Sequence, residues 1–107
     1  MPADPEDILT IAAAWHAAGR PTAIATVIQT WGSAPRPAGS QMALTADGAM
    51  QGSVSGGCIE AAVAEAAIAT LATGTPQRLE YGITDGRAWE LGLACGGRLT
   101  IFLERVG

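Results

Sequence analysis

The sequence predicts an α/β (α+β) domain, a small mixed β-sheet of about five strands packed with two main helices. Three observations predict it. Residues 22–31 (TAIATVIQTW) and 98–104 (RLTIFLE) are rich in β-branched and large apolar residues and lie between turn formers. Two Ala-rich stretches, beginning near Pro5 and near Cys58, repeat apolar residues at helical spacing. The chain has 107 residues and is 49% hydrophobic, the size of one ordinary domain with enough apolar surface for its own core.

The first helix opens at Asp4-Pro5-Glu6-Asp7. Asp4 can cap it, Pro5 suits the first helical position, and acids in the first turn complement the dipole. Ile8, Ile11, Ala12, Trp15 and Ala18 then share a face, and Gly19 ahead of Arg20-Pro21 ends the helix. His16 stands beside the apolar stripe and reads as a partly exposed helix residue. Strand 22–31 follows, then the loop GSAPRPAG (32–39), then an alternating strand, SQMALT (40–45). Ala46-Asp47-Gly48 is a hairpin signal leading to a third strand over 49–54. Helix 58–73 carries Ile59, Val63, Ala67 and Leu71 in one i+4 row. Gly74 is its expected C-cap, with Pro76 just beyond. A fourth strand covers 77–82. Residues 83–97 are irregular, with one helical turn expected at 88–91, and the last strand covers 98–104.

Composition excludes several classes. The formal charge is −4, and the six basic residues are all Arg and scattered along the chain, so phosphate-backbone binding to nucleic acid is not expected. No apolar run is long enough to span a bilayer. The acidic start MPADPEDIL has no signal-peptide character, which predicts a cytoplasmic protein in which a structural disulfide is not expected. Two lone cysteines and one histidine make no zinc site.

Three stretches could carry chemistry. In SVSGGCIE (53–60), a strand runs through Gly56-Gly57 into a helix at Cys58. Such a turn aims backbone N–H groups at an anion, and the glycines let a ligand approach. A thiol there gains thiolate character from the helix dipole, so Cys58 could be a nucleophile or a soft-metal ligand. Glu60 either balances the dipole or makes a polar contact. In GLACGG (92–97), Cys95 again adjoins a glycine pair, Gly96-Gly97, beside a strand. In GSAPRPAG, Arg36 is held between two prolines, a setting suited to bidentate contact with phosphate or carboxylate. Ser33, Ser53 and Ser55 add hydroxyls. The plainer alternatives remain open on these residues alone: Cys58 as a small core residue, the glycines as turn formers, Arg36 as a solvated loop residue. Asp47 and Asp85, each before Gly, read as turn residues, and Trp31 and Trp89 as core.

Taken together and in order, GSAPRPAG, GSVSGGCIEAAV and TDG…GLACGGRLTIFLE resemble the XdhC/CoxI family. Its members assist maturation of molybdenum hydroxylases such as xanthine dehydrogenase and carbon monoxide dehydrogenase. The resemblance implies a maturation factor, not an enzyme with turnover of its own. Such a factor would bind the molybdenum cofactor (molybdopterin) and support its sulfuration or insertion into an apo molybdenum hydroxylase. Carried over by position, the implied cofactor-binding residues are Ser33, Arg36, Ser55, Gly56, Gly57, Cys58, Glu60, Cys95, Gly96 and Gly97. Cys58 is also the implied molybdenum contact. Typical members continue into a C-terminal Rossmann domain, and this chain ends at Gly107. The expectation is one XdhC/CoxI-like domain over 1–107, alone or half of a split pair. A sulfur donor or a separate Rossmann-domain protein would then be a further partner.

Two other functions fit the same residues. One is a thiol-dependent enzyme or sulfur carrier with Cys58 as catalytic nucleophile. The other is a non-catalytic domain that dimerises or binds a partner protein. A homodimer is expected in any case, because a small sheet leaves edges that invite pairing.

Overall fold

The computed structural model describes residues 5–31, 38–54, 59–82 and 98–106. Two helices and five strands follow in the order α1 (Pro5–Ala17), β1 (Thr22–Trp31), β2 (Gln41–Thr45), β3 (Met50–Gly52), α2 (Glu60–Thr73), β4 (Gln77–Gly82) and β5 (Arg98–Arg105). The strands form one sheet in the order β3-β2-β1-β5-β4.

The strand count agrees with expectation, but every pairing is antiparallel where a mixed sheet was expected. The reason lies in the one helical crossover. α2 carries the chain from β3, at one edge, to β4, at the other. Those two strands run the same way, but three strands stand between them, so no parallel pair forms.

The pleat sends alternate residues to opposite faces, and each face takes one helix. Ile24 and Ala43 turn to α1 and pack with Ile8 and Ala12, with Trp15 and Val106 at the margin. Ala23, Ala25, Val27, Met42, Leu44, Leu99, Ile101 and Leu103 turn the other way, to a larger core beneath α2. Of the predicted row, Val63, Ala67 and Leu71 are buried along α2 together with Thr70, and Ile59 is buried at its N-cap. Burying a Val, Ile or Leu side chain stabilises by about 1.5–3 kcal/mol, so Ile59, Val63 and Leu71 help hold α2 on the sheet.

The turns follow their residues. Gly74 ends α2 in a left-handed conformation, φ +75°, and its N–H donates to the Thr70 carbonyl. β2 and β3 are joined through Asp47-Gly48, as the hairpin signal predicted. β3 is shorter than the expected 49–54, because Gly52 takes φ +88° and Val54 leaves the ladder to enter the core. The helical turn expected at 88–91 and the Asp4 cap lie outside the described residues.

Candidate functional site

The register brings the attachments of three segments to one end of the sheet. β1 finishes at Trp31, opposite Arg98, the first residue of β5. Gly82, the last residue of β4, stands on the other side of Arg98. β2 begins at Gln41, opposite Thr26 of β1, and β3 finishes at Gly52, opposite Met42 of β2. At this one end, therefore, the chain passes from β1 to β2 through 32–40, from β3 to α2 through 53–59, and from β4 to β5 through 83–97. These three connections carry GSAPRPAG, SVSGGCIE and GLACGG.

α2 is oriented to match. Its first residue, Glu60, is bonded to Ser53 and Val54, just beyond β3. Its last turn lies at the opposite end of the sheet, where Arg105 Nη1 stands 3.5 Å from the Leu71 carbonyl oxygen. The positive end of the helix dipole thus lies where the three connections attach.

β1 outruns β2 at this end. The Val27 N–H donates to the Ser40 carbonyl (2.9 Å), and the Gly39 N–H donates to the Val27 carbonyl (2.7 Å). Beyond that point β1 pairs with β5 after a register shift between Val27 and Gln29, where Ile28 is the extra residue. Such bulges re-aim side chains and are common beside functional sites.

Glu60 is the one predicted ligand among the described residues. Its Oε2 accepts a 2.7 Å hydrogen bond from Ser53 Oγ and a 3.1 Å bond from the Val54 N–H. Ser33, Arg36, Ser55, Gly56, Gly57, Cys58, Cys95, Gly96 and Gly97 lie outside the described residues. The flanks of the Gly-Gly-Cys segment are both anchored: Val54 is buried before it and Ile59 after it, within one hydrophobic cluster. Among the described residues, no three of His, Cys, Asp and Glu come together as a metal site. No described helix is long and apolar enough to cross a membrane. His16 is exposed on α1, as expected.

Two features had little or no signal in the sequence. The Ile28 bulge had none. Thr100, opposite Gln29 and Glu80, is fully buried, and its Oγ1 has no hydrogen-bond partner among the described residues. A threonine at the centre of RLTIFLE was its only trace.

The family model described as "XdhC and CoxI family" matches residues 15–82, well over half of the chain. The chain belongs to the XdhC and CoxI family. Within it, the domain is 36% identical over 104 residues to the molybdenum cofactor insertion chaperone PaoD of Escherichia coli K12, covering 96% of this chain and 32% of PaoD. A Bacillus subtilis 168 protein, named as a component of a probable xanthine dehydrogenase, is 33% identical over 85 residues, covering 78% of this chain and 26% of that protein. A crystal structure of a xanthine dehydrogenase from Bacillus halodurans superposes with a TM-score of 0.79 at 25% identity. The match takes in 98% of this chain and 31% of that one. This XdhC/CoxI chain thus spans about a third or less of the length of the relatives it matches.

Proposed function

We propose that this XdhC/CoxI domain, residues 1–107, holds a molybdenum cofactor at the end of the sheet where its three motif-bearing connections attach. Its role is to assist the sulfuration of that cofactor or its insertion into an apo molybdenum hydroxylase of the xanthine dehydrogenase or carbon monoxide dehydrogenase type. The observation that supports this most is the common attachment of 32–40, 53–59 and 83–97, together with the N-terminus of α2. Segments far apart in sequence are attached at one end of the sheet, which suits a shared ligand. The likeness to a cofactor insertion chaperone supports the choice of ligand.

The residues suit the parts of such a ligand. Its phosphate matches the N–H groups of the Gly56-Gly57 turn at a helix N-terminus and the guanidinium of Arg36. Ser33 and Ser55 add hydroxyl donors. The molybdenum is a target for the soft thiolate of Cys58, and Cys95 with Gly96-Gly97 brings a second thiol beside a backbone open to close approach. The cofactor is cargo here, and its redox chemistry belongs to the recipient enzyme. We further propose a cytoplasmic homodimer, supported by two sheet edges, β3 and β4, that each pair on one side only among the described residues. A sulfur donor or a separate Rossmann-domain protein completes the proposed set of partners.

The test is cofactor content. The protein is purified from cells that make the cofactor, and the pterin released on denaturation is quantified. Wild type is expected to carry it, with Cys58→Ser and Arg36→Ala each carrying at least several-fold less. Wild type carrying no more than Cys58→Ser overturns the reading.

A further inference from the structure

We infer that this chain self-associates through the outer edge of β4, in the antiparallel register that sets Arg78 of each copy against the partner's Glu80. The inference rests on the homodimer proposed above and names its interface. β4 (Gln77–Gly82) is a sheet edge, paired with β5 alone among the described residues. Its alternate residues turn to opposite faces. Leu79 and Tyr81 pack into the core beneath α2, and Gln77 Nε2 donates to the Ala66 carbonyl (3.0 Å) and to Thr70 Oγ1 (2.7 Å). Arg78 and Glu80 turn to the other face, where both are exposed and neither joins an ion pair among the described residues. The opposite edge of the sheet suits pairing less. β3 is three residues long, carries no charge, and ends at Gly52, whose φ of +88° departs from strand conformation.

Symmetry and charge select the register. Antiparallel copies of one strand are related by a twofold axis perpendicular to the sheet, so every residue meets one that turns to its own face. The axis therefore passes through a residue position, not between two. An axis at Arg78 brings the two guanidinium groups together and sets Glu80 against Pro76, which has no N–H to donate. An axis at Glu80 brings two carboxylates together. Like charges directly opposite are destabilising. An axis at Leu79 instead pairs each Arg78 with the partner's Glu80, Leu79 with the partner's Leu79, and Gln77 with the partner's Tyr81. Charged side chains on an edge strand ordinarily keep edges apart. Here opposite signs two residues apart make the edge complementary to itself, in this register alone. The two five-stranded sheets then become one continuous sheet, with both copies of α2 on one face and both copies of α1 on the other. Because the pairing is antiparallel, the ends that bear the motif connections point in opposite directions, and each copy keeps its own candidate site.

Charge reversal tests the interface on the whole chain. Arg78→Glu leaves this edge with two acids, and Glu80→Arg leaves it with two bases. In either variant alone, both attractive pairs become repulsive. Wild type is expected to show a concentration-dependent equilibrium between monomer and dimer in analytical ultracentrifugation at low salt. Each single variant is expected to dimerise about tenfold more weakly, or worse, while circular dichroism shows it folded. The double variant Arg78→Glu/Glu80→Arg restores both pairs. So does an equimolar mixture of the two single variants, because the acidic edge of one meets the basic edge of the other. Both are expected to dimerise within a few-fold of wild type. Recovery in the mixture excludes damage to the fold as the cause of the single-variant loss. A dimer that the single variants leave unchanged, or a loss that neither the double variant nor the mixture restores, overturns the β4 interface and leaves a homodimer built on another surface. A wild type that stays monomeric overturns the interface and the homodimer together. Pterin content is measured separately, so neither result decides the cofactor reading.

Discussion

Gly52 lies so close to Gln41 that a Cβ built on it would stand 2.5 Å from the Gln41 carbonyl oxygen, and 2.6 Å from Cδ1 of Ile8. Its φ is +88°. Gly52 is the last residue of β3, directly ahead of Ser53 and the Glu60 bridge, so close approach there brings α1, β2 and the Gly-Gly-Cys connection together. Gly48 has a similar φ of +96°, and a Cβ added there would meet nothing within 4 Å. Both substitutions to Ala therefore carry the backbone strain of a left-handed residue, on the order of 1 kcal/mol, and only Gly52→Ala adds a collision with backbone. We expect Gly48→Ala to cost about 1 kcal/mol and Gly52→Ala at least about 2 kcal/mol. Urea melts of the pair measure the difference, and equal midpoints would contradict the steric argument.

Asp47 controls an acid-sensitive contribution at the other end of the sheet. The Thr45 hydroxyl donates to its carboxylate, Arg20 reaches it at 3.2 Å, and these two partners hold its pKa below the ordinary 3.8. The folded state thus binds its proton less readily than the unfolded chain. That contribution is complete above about pH 3.8 and is lost as pH falls through the lower, folded value. Asp47→Asn is expected to flatten the acid limb of a plot of melting temperature against pH. Parallel acid limbs for the two proteins would contradict this.

Tyr81 predicts the opposite limb. It is buried against the α2 core, and burial, with a smaller effect from Glu65, raises its pKa above the ordinary 10.0. The unfolded chain ionises first, so the contribution is complete below about pH 10 and is lost as pH rises through the folded value. Tyr81→Phe is expected to melt at temperatures less dependent on pH above that point, in thermal scans followed by circular dichroism. An unchanged alkaline limb would show that Tyr81 is not its source.

How much of this was legible in the sequence depends on the range of the interaction. Local rules placed β1 and β4 with their observed bounds, buried the row Ile59, Val63, Ala67 and Leu71, and ended α2 at Gly74. Periodicity and capping are properties of neighbouring residues, so a sequence displays them. The position of β5 between β1 and β4, and the wholly antiparallel pairing, depend on register between strands far apart in the chain. Alternation alone shows a strand's two faces but not its partner. For the same reason Glu60 was legible as a first-turn acid, while its partners Ser53 and Val54 were not. The motifs were each visible, but their common attachment at one end of the sheet is a consequence of topology.

Thr100 carries the last prediction. Its neighbours across the ladder are Gln29 and Glu80, close to the end where 83–97 attaches, and its hydroxyl oxygen is buried without a hydrogen-bond partner among the described residues. A buried polar group left without a partner costs about 1–3 kcal/mol. Valine has nearly the same shape and no hydroxyl, so Thr100→Val removes that cost without opening a cavity. We expect it to stabilise the domain by about 1 kcal/mol, a rise in melting temperature of roughly 4–8 °C for a chain of this size. A lower melting temperature would show that the hydroxyl is satisfied in solution. A stabilised variant would instead mean that the domain tolerates an unfavourable polar group beside its candidate site, as proteins do where function opposes stability. Measuring pterin retention on the same variant then separates a hydroxyl that serves the ligand, which Thr100→Val would weaken, from one that merely remains in the sheet.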